Sequence, residues 1–517
     1  MSGHAPGLGC WLLLAAVALS GCAANSPQLT VPVAAPAQWF APLPVTAALA
    51  IATPSTRLTA ATPSAVVNAT ASLPHNGSIT SLSQWWQLQN DPLLVELIDA
   101  AQAVSPSVIT ARSNIQQAQA ARDVSAAALL PTLDAAGNAT RSLPPPANRT
   151  APALVNSAQL GLQTSWEIDL FGQNEASLNA DKERFAGSEA RWHEARVMVA
   201  AEVANDYYNL RACEKQLQIT SADARSRLQT SRLTAQLTSA GFAAPATAGL
   251  ARASAADGNS RMTQQRAECE VVVKALSAMT ALAEPDLRQK LSAAAPDVPQ
   301  QGIADISSVP AEVLSQRPDV YSAARELAAA SYDVGSARSQ RYPRLSLNGS
   351  IAANKARARG FTQSYTTWSI GPVSLSIPLF DGGAADANVD AAKARYEEAA
   401  GKYRGTVRQA VREVEVALVN LQSTADRQSD TAIAAEGYSA SFAGTEARYK
   451  AGLASLVELE DSRRGLLAAQ SGLVSLARER RSAWIALYRA LGGGWSTAAP
   501  AATPMVFSIP QTFLPDW

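Results

Sequence analysis

The sequence has 517 residues, with 43 basic and 43 acidic side chains and therefore no net charge. This balance argues against a general nucleic-acid-binding protein, which needs a basic surface, and a charged fraction of only 17% argues against a disordered polyelectrolyte. Aromatic residues make up 6% of the chain, and much of the apolar content is alanine, which favours helices but buries little surface. The composition predicts long, thin helices rather than a thick globular core.

The N-terminus carries the features of a cleaved and acylated leader. Trp11–Leu19 is an apolar run of nine residues, too short to span a bilayer but the right length for a signal-peptide core. It ends in Leu19-Ser20-Gly21-Cys22, which resembles the bacterial lipobox; a chance cysteine is the alternative. We predict a signal peptide over 1–21, then an Ala/Pro-rich tether over 22–80 that begins at an acylated Cys22 with N-palmitoyl and S-diacylglycerol groups. Ala23 rather than an aspartate follows the cysteine, which favours the outer membrane as the location.

The remainder of the chain consists of a duplicated unit, whose two copies are offset by about 211 residues. Pro106 and Pro131 are 25 positions apart, as are Pro318 and Pro343, and Ala240-Gly241 corresponds to Ala451-Gly452. Each unit reads helix, strand, strand, long helix, tight turn and helix. We predict a first structural repeat over 81–300, a second over 301–495 and a C-terminal tail over 496–517.

Each repeat contains one predicted β-hairpin, at about 132–171 and about 344–380. Leu160, Leu162 and Trp166 fall on one face of a strand, with polar residues between them. Two interpretations fit this alternation: a small soluble sheet, or strands of a membrane barrel with lipid on one side and water on the other. Four strands cannot close a bacterial outer-membrane barrel, which needs at least eight, so the second interpretation requires an oligomer.

Two stretches, 173–239 and 384–450, lack proline and predict helices of about 67 residues, on the order of 100 Å long. Returning helices are predicted over about 246–283 and 456–491. Helices of this length exceed an ordinary core and are expected to pack as antiparallel coiled-coil pairs. The expected hairpin tips lie near 240–243 and 451–455. The predicted fold class is therefore mainly α with a small β part.

Seven short motifs follow one another in the order typical of a known protein family. They are Trp86–Leu97, Trp166–Gly172, Arg317–Val320, Tyr342–Leu347, Pro378–Gly383, Arg448–Gly452 and Tyr488–Trp495. With these motifs and the duplication, the chain resembles the outer-membrane efflux protein family of TolC-like outer-membrane factors, specifically its branch of NodT-like efflux lipoproteins.

The resemblance implies a homotrimer in which twelve strands form one membrane β-barrel, continued by an α-helical periplasmic tunnel. It also implies a passive channel that takes solutes from a periplasmic adaptor protein and an inner-membrane efflux transporter to the exterior. The expected contacts are thus these two proteins and outer-membrane lipid, with no nucleic acid. The covalent lipid on Cys22 is the only expected prosthetic group, and no metal site is expected.

The resemblance also points to a gate at the tip of the second helical hairpin. Val457, Glu458 and Asp461 match family residues that constrict the periplasmic aperture, and Arg463 and Arg464 could supply salt bridges that hold it shut. In a trimer, Glu458 and Asp461 would form two stacked acidic rings, as in cation-selective pores. The alternatives are a capping box for Glu458, since Ser455 stands three residues before it, and a solvated helix face for the arginines.

Cys213 and Cys269 lie 28 residues before and after Gly241, at similar heights in an antiparallel hairpin. The periplasm is oxidising, so a disulfide can form. Two buried thiols are the alternative and the interpretation that we favour, because the sequence does not show which way the side chains face.

Two other function classes fit the sequence less well. A periplasmic adaptor lipoprotein, or a coiled-coil scaffold without a channel, would also carry an anchor and long helices, but an adaptor should have one hairpin beside several compact β domains. An enzyme is disfavoured because the sequence has no Gly-rich phosphate loop, no His/Cys ligand cluster and no nucleophile motif.

Overall fold

The computed structural model describes residues 41, 85–88, 91–143, 154–294 and 317–494. The predicted signal peptide, Cys22, nearly all of the tether and the C-terminal tail lie outside the described residues. The helices are α1 (Trp85–Leu88), α2 (Pro92–Val104), α3 (Pro106–Ala127), α4 (Gln173–Ser239), α5 (Pro245–Thr280), α6 (Glu284–Ala293), α7 (Pro318–Ser339), α8 (Ala384–Lys450) and α9 (Leu456–Ala490). The strands are β1 (Thr132–Ser142), β2 (Val155–Ile168), β3 (Arg344–Ala358) and β4 (Phe361–Ser376).

The duplication is visible in the lengths of these elements. Helices α3 and α7 have 22 residues each, and α4 and α8 have 67 residues each. The observed elements begin and end within a few residues of the predicted ones. Within the described ranges, no single helix is long and apolar enough to cross a membrane, although α2 and α3 satisfy that criterion together as a bent pair.

An aspartate side chain caps the start of each long helix in the same way. Asp169 accepts hydrogen bonds from the backbone N–H groups of Gln173 and Glu175, at 2.8 and 2.7 Å. Asp381 does the same for Gly383 and Ala385, at 2.9 and 2.7 Å. These bonds satisfy donors that a helix start otherwise leaves unpaired, and they hold the pKa of Asp381 below its usual value.

Both long helices also end in the same turn. Gly241 and Gly452 adopt φ values of 81° and 75°, a left-handed conformation that costs glycine little. Beyond them, the N–H of Phe242 bonds to the carbonyl of Leu237, and that of Leu453 to the carbonyl of Arg448, each at 2.8 Å. This is the six-to-one bond of a Schellman motif, and it places a reversal at each predicted tip.

The described residues fall into two compact units, the first comprising Arg112–Ala190 and Tyr321–Thr406. This unit contains the sheet, in the antiparallel order β1-β2-β3-β4. Its helices pack through small and medium apolar side chains, including Leu327 and Val334 of α7 and Val389 of α8. Such side chains allow helices to approach closely, which explains why alanine is frequent here and large apolar residues are few.

The second unit includes Arg191–Val320 and the chain from Val407 onward, in their described parts. Arg317 is buried in it: the guanidinium donates to both carboxylate oxygens of Asp319, to Glu413 and to the carbonyl of Ala490 at the end of α9. One arginine thus joins the start of α7 to two other segments. This contact gives a structural reason for the Arg317-Pro318-Asp319 motif.

Candidate functional site

The first candidate surface is the sheet, whose two faces differ in polarity. On β2 and β3, Leu162 pairs with Ile351 and Trp166 with Leu347, and directly opposite residues of a sheet point to the same side. The alternate positions carry polar side chains such as Gln163 and Ser350, which also pair. The alternation predicted from sequence is therefore maintained across neighbouring strands.

The apolar face of the sheet is not covered by any described part of the chain. Four large apolar side chains on this face are mostly exposed: Leu133 and Leu160 at 69% each, Trp368 at 73% and Ile370 at 84%. Strands β1 and β4 are the two edges, since each pairs with one neighbour only in the described sheet. An exposed apolar face of this kind marks a surface that contacts lipid or another protein. The two open edges leave backbone N–H and C=O groups unpaired, so the sheet also needs further strands.

The second candidate surface is the tip of the second hairpin, where α9 is strongly two-sided. Leu456 and Leu459 are buried and pack with Ala251 of α5. Val457 is 62% exposed, and the side chains of Asp461 and Arg464 are 78% and 69% exposed and form an ion pair at 3.1 Å. The predicted gate residues therefore lie on the solvent-facing side of α9 in the single chain.

Glu458 forms the capping box that the sequence offered as the alternative to an acidic ring. Its carboxylate accepts from the N–H of Ser455 at 2.6 Å, and its own N–H donates to the Ser455 hydroxyl at 3.2 Å. The hydrogen bond from Ser455 lowers the pKa of Glu458. The carboxylate is nevertheless fully exposed, so capping leaves its charge in contact with solvent.

Behind this exposed face lies a buried group of charges that the sequence did not predict. Arg227 of α4 pairs with Asp223 at 2.8 Å and with Glu460 of α9, and all three side chains are at most 12% exposed. Arg463 also pairs with Glu460 and donates to Ser226 and Thr230 of α4 at 3.1 and 3.0 Å. Two cations and two anions balance one another here, and their mutual attraction offsets part of the desolvation cost of burying them.

This buried group corrects part of the sequence interpretation of the arginines. Arg463 does not lie on a solvated face, because its side chain is only 3% exposed, and burial lowers its pKa. Arg464 is the solvated one. The sequence did contain one signal, because Asp223 and Arg227 are four residues apart and Glu460 and Arg463 are three apart. Oppositely charged pairs at these spacings also occur on exposed helices, so the spacing does not indicate burial.

Cys213 of α4 and Cys269 of α5 are joined in the structure. Their sulfur atoms are 2.05 Å apart and their Cα atoms 5.6 Å apart, a normal separation for a bridge. The favoured alternative of two separate thiols is therefore not the arrangement seen here. Elsewhere in the described ranges, no cluster of three or more His, Cys, Asp or Glu side chains could hold a metal ion.

The comparison with known proteins decides the family. The model of the outer membrane efflux protein family matches the chain twice, over residues 97–281 and 309–493. This chain belongs to the outer membrane efflux protein family. The resemblance inferred from the motifs is confirmed, and so is the prediction of a non-enzymatic efflux channel rather than an adaptor or scaffold. The same membership supports the predicted location in the outer membrane.

Individual relatives agree with this assignment. A solvent efflux pump outer membrane protein, SrpC of Pseudomonas putida, is 28% identical over 424 residues, which cover 81% of this chain and 89% of that protein. Nodulation protein T of Rhizobium leguminosarum bv. trifolii is 27% identical over 445 residues, covering 82% and 91%. The crystal structure of the Campylobacter jejuni CmeC outer membrane channel superposes with a TM-score of 0.75 at 25% identity, covering 86% of this chain and 96% of that one.

Proposed function

We propose that three copies of this outer-membrane efflux protein close their sheets into one twelve-stranded barrel in the outer membrane. The observation that carries this proposal is the four-stranded sheet with an exposed apolar face and two open edges. Joining β1 of one copy to β4 of the next satisfies both edges, and the apolar face then meets lipid. The minimum of eight strands excludes a single copy, and the family resemblance favours three.

The long helices of the three copies would line a periplasmic tunnel, through which solutes pass without chemical change. Its partners would be a periplasmic adaptor protein and an inner-membrane efflux transporter, which together supply the solute. An acylated Cys22, with N-palmitoyl and S-diacylglycerol groups, would anchor each copy in the same membrane. The lipobox-like Leu19-Ser20-Gly21-Cys22 sequence supports this anchor.

The gate of this channel is assigned to the second hairpin tip. Asp461 and Glu458 supply carboxylates to two acidic rings, Val457 forms an apolar ring, and Arg464 pairs with Asp461 to hold the aperture narrow. The exposure of all four side chains in the single chain supports this assignment, because pore-lining groups must be free of intrachain packing. The first hairpin tip, with Phe242 at 82% exposure, carries no acid and would not contribute to the rings.

The test is purification of the full-length protein from outer-membrane fractions, followed by single-channel recording in planar bilayers. We expect trimer-sized migration that shifts to the monomer position on heating, together with discrete conductance steps. A monomer that inserts into no bilayer and gives no current would overturn the proposal. Metabolic labelling with palmitate, compared between wild type and Cys22→Ser, tests the anchor separately: equal labelling would rule it out.

A further inference from the structure

The zero net charge of the chain hides an uneven distribution of charge along the two β-hairpins. The hairpin of β3 and β4, residues 344–376, contains four basic side chains and no acidic one, whereas the hairpin of β1 and β2, residues 132–168, contains two basic side chains and two acidic ones, Asp134 and Glu167. The tight turn between β3 and β4 lies within the first of these segments. The acidic residues Asp134 and Glu167 lie near the end of the sheet where the helices join, so the opposite end of the strands carries basic side chains and no acidic one.

The strand pairing collects three of these cations on one face. Arg141 of β1 pairs with Asn156 of β2, and Asn156 pairs with Arg357 of β3, so the three side chains form a row on the same side of the sheet. Lys355 lies on that side too, two residues along β3. Arg141, Lys355 and Arg357 are exposed, and among the described residues no carboxylate forms an ion pair with any of them.

This is the same side of the sheet that carries the apolar surface. Side chains alternate along a strand, so Lys355 and Arg357 share a face with Leu345, Leu347 and Ile351. In the proposed barrel this face meets lipid rather than the water-filled interior. Basic side chains here lie beside membrane lipid, not along the path of the solute.

The position along the strand is that of a membrane surface. The chain advances about 3.4 Å per residue in an antiparallel strand, and barrel strands tilt by about 40°. Lys355 is ten residues beyond Leu345, so it lies about 26 Å further along the barrel axis. This matches the apolar band of about 25 Å that outer-membrane barrels present to lipid.

The cations lie at the end of the sheet away from the helices. Helices α3, α4, α7 and α8 all join the strands at the opposite end, near Thr132, Ile168, Arg344 and Ser376. If the helices are periplasmic, as proposed above, the row is at the outer surface of the membrane. Lipid headgroups at that depth carry the phosphates that a basic row would attract.

We propose that Arg141, Asn156, Lys355 and Arg357 form a binding site for the phosphate groups of lipid headgroups in the outer leaflet. Adjacent strands are about 4.8 Å apart, so the backbones of Arg141 and Arg357 are about 10 Å apart, and two arginine side chains can converge on one phosphate over the Asn156 amide. Arginine suits this role because its guanidinium bonds phosphate through two N–H groups at once. Lys355 then adds a charge for a second phosphate on the same headgroup.

The site rests on the proposed barrel, and its test uses the full-length channel. The purified protein is delipidated and titrated with diphosphoryl lipid A, monophosphoryl lipid A or phosphatidylcholine, and bound lipid is counted by native mass spectrometry. We expect affinity to fall in that order. The variant Lys355→Gln/Arg357→Gln should bind diphosphoryl lipid A about tenfold or more weakly, because charge-assisted hydrogen bonds are lost.

A matched control removes two cations from the helix-proximal end. Arg338 and Arg344 are exposed and lie outside the row, so Arg338→Gln/Arg344→Gln should bind lipid A within about twofold of wild type. An equal loss in both double variants, or equal binding of phosphatidylcholine and lipid A by the wild type, would overturn the site. Wild-type protein that binds inorganic phosphate as tightly as diphosphoryl lipid A would also overturn it, by showing that a free anion is the ligand.

Channel recordings separate this inference from the proposed function. The Lys355→Gln/Arg357→Gln variant should remain a heat-modifiable oligomer with wild-type conductance, since it touches neither the gate nor the barrel interior. A wild-type channel that conducts but does not discriminate between lipids defeats only the lipid site. A wild-type protein that forms no channel defeats the barrel on which the site depends.

Discussion

Arg463 of α9 donates a hydrogen bond to the hydroxyl of Thr230 in α4 at 3.0 Å. Thr230 belongs to the first repeat and Arg463 to the second, so this bond joins the two helical hairpins just behind their tips. Together with Arg227, Asp223 and Glu460 it forms a buried, charge-balanced connection. This connection lies behind the exposed α9 residues that we propose as the gate.

Replacing Arg463 with Met should strongly destabilise the protein. The substitution leaves the hydroxyls of Ser226 and Thr230 without their donor and upsets the balance around Glu460, a change that typically costs about 3–5 kcal/mol for a buried pair. The free energy of unfolding, measured by guanidinium titration in detergent, tests this. Arg464→Met is the control, since its exposed pair with Asp461 is worth about 0–1 kcal/mol; equal losses in the two variants would contradict the structure.

Replacing Asp461 with Ala should widen the gate. Removing one carboxylate from each of three copies abolishes a ring of negative charge, so we expect higher single-channel conductance and about tenfold weaker block by a trivalent cation. Asp257→Ala is the matched control, because Asp257 is also exposed and paired with an arginine on its own helix. Unchanged conductance and block in Asp461→Ala would remove Asp461 from the gate.

The start of α9 should loosen in acid. The pKa of Glu458 is lowered by its bond to Ser455, so its contribution to stability is complete above the unfolded value of about 4.3 and disappears as the pH falls through the folded value. Hydrogen-exchange protection of the first turn of α9, corrected for intrinsic rates, should decrease over that interval. Glu458→Gln should remove this pH dependence, and an identical pH profile for wild type and variant would show that another group titrates.

Reduction of the Cys213–Cys269 bridge should destabilise the first hairpin. The bridge closes a loop with a sequence separation of 56, for which chain entropy gives a stabilisation of up to about 4 kcal/mol. Thermal unfolding of the wild type should shift downward in reductant, whereas Cys213→Ser/Cys269→Ser should be low in both conditions. Mass mapping without reductant that finds both thiols alkylatable would show that the bridge does not form in the cell.

Much of the fold could be predicted from local patterns in the sequence. The proline-free stretches and the Ala-Gly tips locate α4 and α8 closely, because a helix end depends on residues within a few positions of it. The alternation of Leu160, Leu162 and Trp166 gives the face of β2 for the same reason. The capping role of Glu458 was likewise available, since both partners lie within one turn.

Contacts between distant segments of the chain could not be predicted from the sequence. Nothing near Arg463 indicates that Ser226 and Thr230, more than 230 positions away, surround it, so its burial could not be separated from exposure. The same limit applies to Cys213 and Cys269. The hairpin predicts that they lie at similar positions along the two helices, but not that their side chains face each other. The row of Arg141, Asn156 and Arg357 emerges only from the register of three strands.

The equal length of α4 and α8 has a consequence for how such a chain can change in size. The hydroxyls of Thr234 and Tyr449, near the two tips, are 3.0 Å apart, and Arg463 contacts Thr230 at the same distance. A heptad inserted into α4 and α5 alone would slide these partners past one another by about two turns. We therefore expect growth or shortening of the helices to preserve these contacts only when the same number of residues changes in both repeats.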